Sequence, residues 1–283
     1  MQLLNFSCST AKFTLGDKTL IMGVLNVTPD SFSDGGRYNE TETAVRRGLE
    51  MARNGADIID IGGESTRPGA DPVSTTEEKK RILPVIKQLA DKTDKLISVD
   101  TYKPEVAAAA VNSGAAIIND VTGMRDPEMM KVLKYNNAGF IMMHMRGTPK
   151  TMQSQTDYQN LIEDITQYFR ERLQNITNAD IDPERIVLDP GIGFSKTAEQ
   201  NLEILAHLED FRNLQRPVLA GTSRKSFISA VLGEKDPDRI RWGTAGSVAA
   251  AITNGADIIR VHDVYEMRDT AAVADTIRQR MIH

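Results

Sequence analysis

With 283 residues, of which 40% are hydrophobic, the chain is long enough for one large core or two ordinary ones. A formal net charge of −5 argues against a nucleic-acid binder, which needs a basic face or stripe, although a local basic cluster can still hold a small anion. The single cysteine, Cys8, excludes an internal disulfide, no Cys/His cluster has zinc-finger spacing, and no stretch approaches the roughly 18 apolar residues of a membrane span. Met1-Gln2-Leu3-Leu4-Asn5 lacks the positive charge and long apolar run of a secretory leader, so a cytoplasmic setting is expected.

In chain order, the apolar residues around 3–7 and 12–15, separated by a polar middle, predict a short hairpin. Strands are then predicted at 20–26, 57–62, 96–100, 116–120, 139–144, 186–189, 217–222 and 257–262, with helices between them at 42–54, 75–91, 104–113, 127–137, 158–178, 198–208, 225–232 with 244–254, and 264–280. Three of the helix-to-strand passages repeat one design: Asn54-Gly55-Ala56-Asp57-Ile58-Ile59, Ser113-Gly114-Ala115-Ala116-Ile117-Ile118 and Asn254-Gly255-Ala256-Asp257-Ile258-Ile259. In each, a helix stops at a glycine able to take the left-handed conformation and a β-branched buried strand follows. Eight βα units favour a closed (β/α)8 barrel, an α/β fold of about 250 residues, with the N-terminal β-hairpin plugging its bottom. No linker or low-complexity tract divides residues 1–283, which read as one domain.

Barrel enzymes place their chemistry at the C-terminal ends of the strands. Here those ends carry Asn26, Glu64 to Arg67, Asp100, Asn119-Asp120, His144, Asp189, Ser223-Arg224-Lys225, and Arg260 with His262. Singly, each reads equally well as a polar strand end meeting water. Asp189 precedes a Pro-Gly turn that it could cap, Lys225 at a helix start resembles a solvated surface lysine, and Phe194 and Met143 fit core packing. Together, Asn26, Asp100, Asn119 and Asp189 each follow an apolar run, so a barrel aims them at one cavity.

The stretch Asn26-Val27-Thr28-Pro29-Asp30-Ser31-Phe32-Ser33-Asp34-Gly35-Gly36 resembles the first signature of dihydropteroate synthases, and Asp60-Ile61-Gly62-Gly63-Glu64-Ser65-Thr66-Arg67-Pro68-Gly69 resembles the second. Further blocks, Ser98-Val99-Asp100-Thr101, Ile118-Asn119-Asp120-Val121, Met142-Met143-His144-Met145, Asp189-Pro190-Gly191-Ile192-Gly193-Phe194, Thr222-Ser223-Arg224-Lys225-Ser226-Phe227 and Arg260-Val261-His262-Asp263, are similar to that family in the same order. The resemblance implies a Mg²⁺-dependent, pterin-binding transferase of folate biosynthesis, inhibited by sulfonamides. Such an enzyme joins 6-hydroxymethyl-7,8-dihydropterin diphosphate to p-aminobenzoate and acts as a homodimer.

The p-aminobenzoate amine is neutral at pH 7, so no strong general base is required; the demands are leaving-group stabilisation and orientation of two flat rings. A carboxylate accepts the two N–H groups of a pterin edge in a fork, which suits Asp189, and the Asn119 amide can meet a further ring nitrogen. The resemblance implies roles for Asp100 at the pterin, where a carboxylate steadies a developing cation, and for Lys225 between the two rings. Met143 is implied against the pterin face. Arg67, Arg260 and His262 are implied for the diphosphate, with Asn26 holding Mg²⁺ through its amide oxygen. Thr66, Pro68, Phe194, Ser226 and Phe32 are implied for p-aminobenzoate. The catalytic set is thus expected to be Asp100, Lys225 and Arg67, and no nucleic-acid or membrane partner is expected. A methyltetrahydrofolate-binding methyltransferase module is the competing reading. It shares a pterin-binding barrel but does not need the p-aminobenzoate positions, and their presence weighs against it.

Overall fold

The computed structural model describes residues 2–9, 11–28, 37–65 and 69–281. The expected positions Phe32, Thr66, Arg67 and Pro68 lie outside the described residues. Strands β1 (Leu4–Cys8) and β2 (Ala11–Leu15) form the expected antiparallel hairpin, with Phe6 opposite Phe13. Alternation along β1 turns Leu4, Phe6 and Cys8 inward and leaves Asn5 exposed.

The eight following strands are β3 (Leu20–Asn26), β4 (Ile58–Gly62), β5 (Leu96–Asp100), β6 (Ile117–Asp120), β7 (Gly139–Met143), β8 (Ile186–Asp189), β9 (Leu219–Ala220) and β10 (Ile258–Val261). The helices are α1 (Arg37–Arg53), α2 (Thr75–Lys92), α3 (Pro104–Asn112), α4 (Pro127–Lys134), α5 (Leu161–Asn178), α6 (Ala198–Ala206), α7 (Leu208–Arg212), α8 (Ser226–Leu232), α9 (Pro237–Thr253) and α10 (Val264–Met281). All neighbouring strands pair in parallel, in the order β8-β7-β6-β5-β4-β3-β10-β9. A bridge between Leu188 and Val218, with the Leu188 N–H donating to the Pro217 carbonyl at 2.9 Å, joins β8 to β9 and completes a (β/α)8 barrel.

Period-two alternation sorts the strand residues into two cores. Ile21, Ile59, Ile61, Ile118, Phe140, Leu188 and Ile259 face the surrounding helices. Leu20, Met22, Ile58, Ile117, Ile141, Val187 and Ile258 face inward, where Phe6, Cys8 and Leu15 of the hairpin pack against them. Gly139 makes that plug possible, because a β-carbon there would lie 2.6 Å from the Phe6 ring. Each large side chain buried in this way contributes roughly 1.5–3 kcal/mol. The apolar filling therefore occupies the N-terminal half of the barrel. The next inward positions toward the C-terminal ends are Asp60, Ser98, Asp100, Asn119, Met143, Asp189 and Arg260, and this step in parity makes a polar cup above an apolar floor.

Several expected boundaries change; α1 starts at Arg37 rather than 42, α4 ends at Lys134 rather than 137, and α5 starts at Leu161 rather than 158. The strand placed at 217–222 is only two residues long; it starts after Val218, whose N–H goes to the buried Asp257 carboxylate at 3.0 Å. Helix α9 starts at Pro237 rather than 244, where Asp236 caps the N–H groups of Asp238 and Arg239 and proline occupies the first turn. The helix placed at 198–208 breaks at His207 into α6 and α7. The lower rim is held by buried ion pairs. Arg212 is bound to Asp257 by bonds of 3.1 to 3.3 Å, and Asp275 receives Arg278 at 2.8 Å and the Thr19 hydroxyl at 2.7 Å.

Candidate active site

The floor of the cup is organised by Asp60, a fully buried carboxylate on β4. Its Oδ2 accepts the Arg260 guanidinium at 2.7 Å and the Asn119 amide N–H at 3.1 Å. Arg260, from β10, also donates to Asp100 Oδ2 on β5 at 2.6 Å. Burial works against the arginine charge, but Asp60 and Asp100 outweigh it and hold the group firmly protonated. One guanidinium thus serves two carboxylates. Asp60 Oδ1, Asp100 Oδ1 and the Ser98 hydroxyl are left without hydrogen-bond partners. Burial raises the Asp100 carboxyl to about 7 against the pull of Arg260, with Asp60, Glu78 and Asp120 adding to the rise.

Because its N–H₂ is engaged by Asp60, Asn119 has its amide orientation fixed by a charged acceptor; the reverse flip would set two oxygens face to face. Asp189 ends β8 and accepts the Gly191 N–H at 2.8 Å. Gly191 has φ +72°, and a side chain there would collide with the His144 carbonyl, so glycine is required for this turn. Burial raises the Asp189 carboxyl, opposed by the Gly191 N–H and by Lys225, Arg260 and Lys196.

Lys225 caps α8, with its ammonium 4.0 Å from the centre of the Phe194 ring. Burial lowers it to about 8, helped by Arg260 and opposed by Asp189 and Asp100. Phe194 and Met143 share a small apolar cluster with Val121, Met145 and Met152, with Tyr102 packed against it. Ser226 is exposed one residue beyond Lys225. The backbone N–H of His262 donates to the Ser223 hydroxyl at 3.2 Å, and that oxygen lies 3.0 Å from His262 Nδ1. The hydroxyl donates to Nδ1 or accepts from it according to the imidazole tautomer. Burial, with Arg260 and Arg224 beside it, lowers His262 to about 3, so at neutral pH the ring carries no charge.

Asn26, at the end of β3, places its amide oxygen 3.8 Å from where a β-carbon on Gly62 would stand, with Asp100 Oδ2 3.7 Å from the same position. Among the described residues no group of three His, Cys, Asp or Glu side chains is arranged to hold a metal. The neutral oxygen of Asn26 suits a hard cation that takes its other ligands from water and a substrate's phosphates.

Asp100, Asn119, Asp189, Lys225 and Arg260 thus gather at one end of the barrel, as expected from the strand ends, with the apolar cluster of Met143 and Phe194 beside Lys225. Asp60 and Lys196 were not anticipated. Asp60 carried a legible signal, a carboxylate at the inward parity of an otherwise apolar strand. Lys196, in a polar loop, carried none. A second missed cluster holds the base of the loop after β4. There Glu64 accepts Lys103 at 2.5 Å, the Tyr102 hydroxyl at 2.8 Å and the Val73 N–H at 3.0 Å, while Lys103 also pairs with the buried Glu78.

Buried carboxylates, a fixed amide and two cations at the C-terminal mouth of a parallel barrel have the make-up of a small-molecule enzyme site. Residues 22–262 match the family model described as pterin binding enzyme. The chain is 47% identical over 266 residues to a dihydropteroate synthase of Synechocystis sp., covering 94% of this chain and 92% of that one. Among solved structures, it is similar to the Xanthomonas albilineans dihydropteroate synthase with 4-aminobenzoic acid, at TM-score 0.90 and 40% identity, covering 98% and 99% of the two chains. It is also similar to the Yersinia pestis dihydropteroate synthase in a sulfonamide drug complex, at TM-score 0.90 and 38% identity, covering 98% and 100%. The chain belongs to the dihydropteroate synthase family of pterin binding enzymes.

Proposed function

We propose that this chain condenses 6-hydroxymethyl-7,8-dihydropterin diphosphate with p-aminobenzoate, giving 7,8-dihydropteroate and diphosphate. The observation that carries the reading is the cup itself, in which Asp100, Asn119 and Asp189 stand on separate strands around one cavity and Lys225 lies over Phe194 at its edge. Asp189 takes the paired N–H groups of the pterin in a fork, and Asn119 meets a further ring nitrogen. Asp100 faces the pterin with its unpartnered oxygen and steadies positive charge at the carbon as the C–O bond loosens, in an SN1-like displacement. Met143 packs on the pterin face.

Arg260 and the neutral ring of His262 bind the departing diphosphate. Asn26 would hold Mg²⁺, which supplies Lewis-acid withdrawal of charge from the leaving group. Lys225 lies between the pterin and the incoming arylamine, and Phe194 and Ser226 border the p-aminobenzoate ring. Arg67, Thr66, Pro68 and Phe32 complete the assignments carried from the resemblance, Arg67 toward the diphosphate and the others toward p-aminobenzoate. A sulfonamide takes the p-aminobenzoate place, a reading supported by the Y. pestis relative.

The exposed apolar side chains of Val231, Trp242, Val273, Ile277 and Met281, on α8, α9 and α10, support a homodimer formed through these helices, which sedimentation equilibrium tests. The unpaired, buried Cys8 supports a cytoplasmic setting. No described helix is long and apolar enough to cross a membrane. The decisive assay is diphosphate release from the dihydropterin substrate with and without p-aminobenzoate and Mg²⁺. Release that requires both supports the reading, whereas methyl transfer from methyltetrahydrofolate without condensation overturns it.

A further inference from the structure

Lys196 lies in the loop between β8 and α6, outside every motif role assigned above, and is only 4% exposed. Its ammonium donates to the Phe194 carbonyl at 2.9 Å, lies 3.2 Å from His144 Nδ1 and reaches the His144 carbonyl at 3.5 Å. All three partners are neutral. A buried cation held only by neutral acceptors is costly, and it calls for a reason in the charge around it.

The charge in question is Asp189. Three cations act on that carboxylate through space: Arg260 from β10, Lys225 from the start of α8, and Lys196 from the loop that follows β8. Arg260 is committed to Asp60 and Asp100, and Lys225 rests on the Phe194 ring. Lys196 alone of the three is bound to no carboxylate and stacked on no ring. It also sits directly behind the turn that Asp189 holds. The Gly191 N–H donates to the carboxylate, and a β-carbon at Gly191 would come 3.3 Å from the lysine nitrogen.

We propose that Lys196 is a positioning residue for pterin recognition: its positive charge behind Gly191 keeps Asp189 ionised as the acceptor of the pterin N–H pair, and its bond to the Phe194 carbonyl sets the same loop in place. The proposal rests on the reading of Asp189 as that acceptor. The surrounding groups agree with it. Burial lowers the Lys196 ammonium to about 7, Asp189 opposing the fall and Arg146 and Lys225 reinforcing it. Burial and the adjacent Lys196 and Arg146 hold His144 well below its ordinary range, so the imidazole is a neutral acceptor for the lysine. Below about pH 7 the proton is therefore on Lys196, where it can act on Asp189.

The sign of the effect follows. Pterin binding by an anionic Asp189 is lost as pH falls through the carboxyl pKa, and removing a nearby cation moves that loss to higher pH. Above the pH at which Lys196 itself loses its proton, enzyme and variant converge.

The test is calorimetric titration of 6-hydroxymethylpterin, which has no diphosphate, into the full-length protein and its Lys196→Met, Lys196→Gln, Lys196→Arg and Asp189→Asn variants between pH 5 and 9. Lys196→Met should shift the acid limb of binding upward by about one pH unit and so weaken binding by up to about tenfold on that limb. Lys196→Gln, which keeps a donor for the Phe194 carbonyl but no charge, should do the same, also standing in if the Met variant fails to fold. Lys196→Arg should retain the wild-type limb. A wild-type pH dependence in Met and Gln, or an equal loss at every pH shared by Arg, overturns the proposal. Asp189→Asn separates the two readings, since undiminished pterin binding there removes the underlying assignment of Asp189, whatever Lys196 does.

Discussion

Asp189→Asn should weaken pterin binding while leaving the fold as stable as before or more so. In the wild-type chain Oδ1 is engaged by the Gly191 N–H at 2.8 Å. An asparagine keeps its carbonyl on that N–H, because the opposite flip sets two donors against each other, and so it turns its N–H₂ toward the donors of the pterin. One charge-assisted hydrogen bond is lost, at about 1.5–3 kcal/mol, and its companion falls to the strength of a neutral one, at about 1 kcal/mol. The sum, about 2–5 kcal/mol, corresponds to a rise in Kd of roughly 30- to 5,000-fold.

Stability moves the other way. Burial raises the folded-state carboxyl above its ordinary value, so ionised Asp189 costs stability at any pH above the unfolded-state pKa, and a neutral amide removes that cost. Calorimetry at pH 8 paired with thermal melts reads both effects. An unchanged Kd in a folded variant refutes the fork, and a weakened Kd with a lowered Tm refutes the reasoning by placing the loss in the fold.

Asp100 supplies a pH prediction: with its folded pKa raised by burial to about 7, its ionised form penalises the ligand-free fold at high pH and the penalty is relieved as pH falls through 7. Tm should therefore gain between pH 8 and pH 6 in the wild type, and Asp100→Asn should lose part of that gain while also losing turnover; identical Tm slopes in the two proteins refute it. Lys225→Ala should raise KM for both substrates roughly tenfold or more, whereas Arg224→Ala, whose exposed side chain is tied to Asp263 at 2.6 Å, should act less on p-aminobenzoate. Equal loss of turnover in both variants with normal binding of both substrates refutes the placement of Lys225. Arg212→Met leaves Asp257 buried without its guanidinium and should cost about 3–5 kcal/mol in denaturant unfolding, with kcat and KM unchanged because the pair lies at the opposite rim.

Much of this protein is written in local sequence. Glycine-stopped helices followed by β-branched runs, repeated around Gly55, Gly114 and Gly255, give the βα alternation, because the left-handed stop and the buried strand are each local preferences. The residues at the ends of β3, β5, β6 and β8 are likewise visible as polar letters after apolar runs. The start of α9 had a local signal too, Asp236 followed by a proline, but apolar periodicity alone placed it at 244.

Only the tertiary structure decided how those letters are used. That Asp60 binds Asn119 and Arg260 at once depends on three strands, β4, β6 and β10, whose sequence positions are up to 200 residues apart. That Arg260 is divided between two carboxylates, that His262 carries no charge, and that Lys196 is buried behind Gly191 are likewise consequences of closure. Sequence periodicity records which face a residue takes, but desolvation and charge coupling depend on what stands across the cavity, and those neighbours exist only once the barrel has brought its strands together.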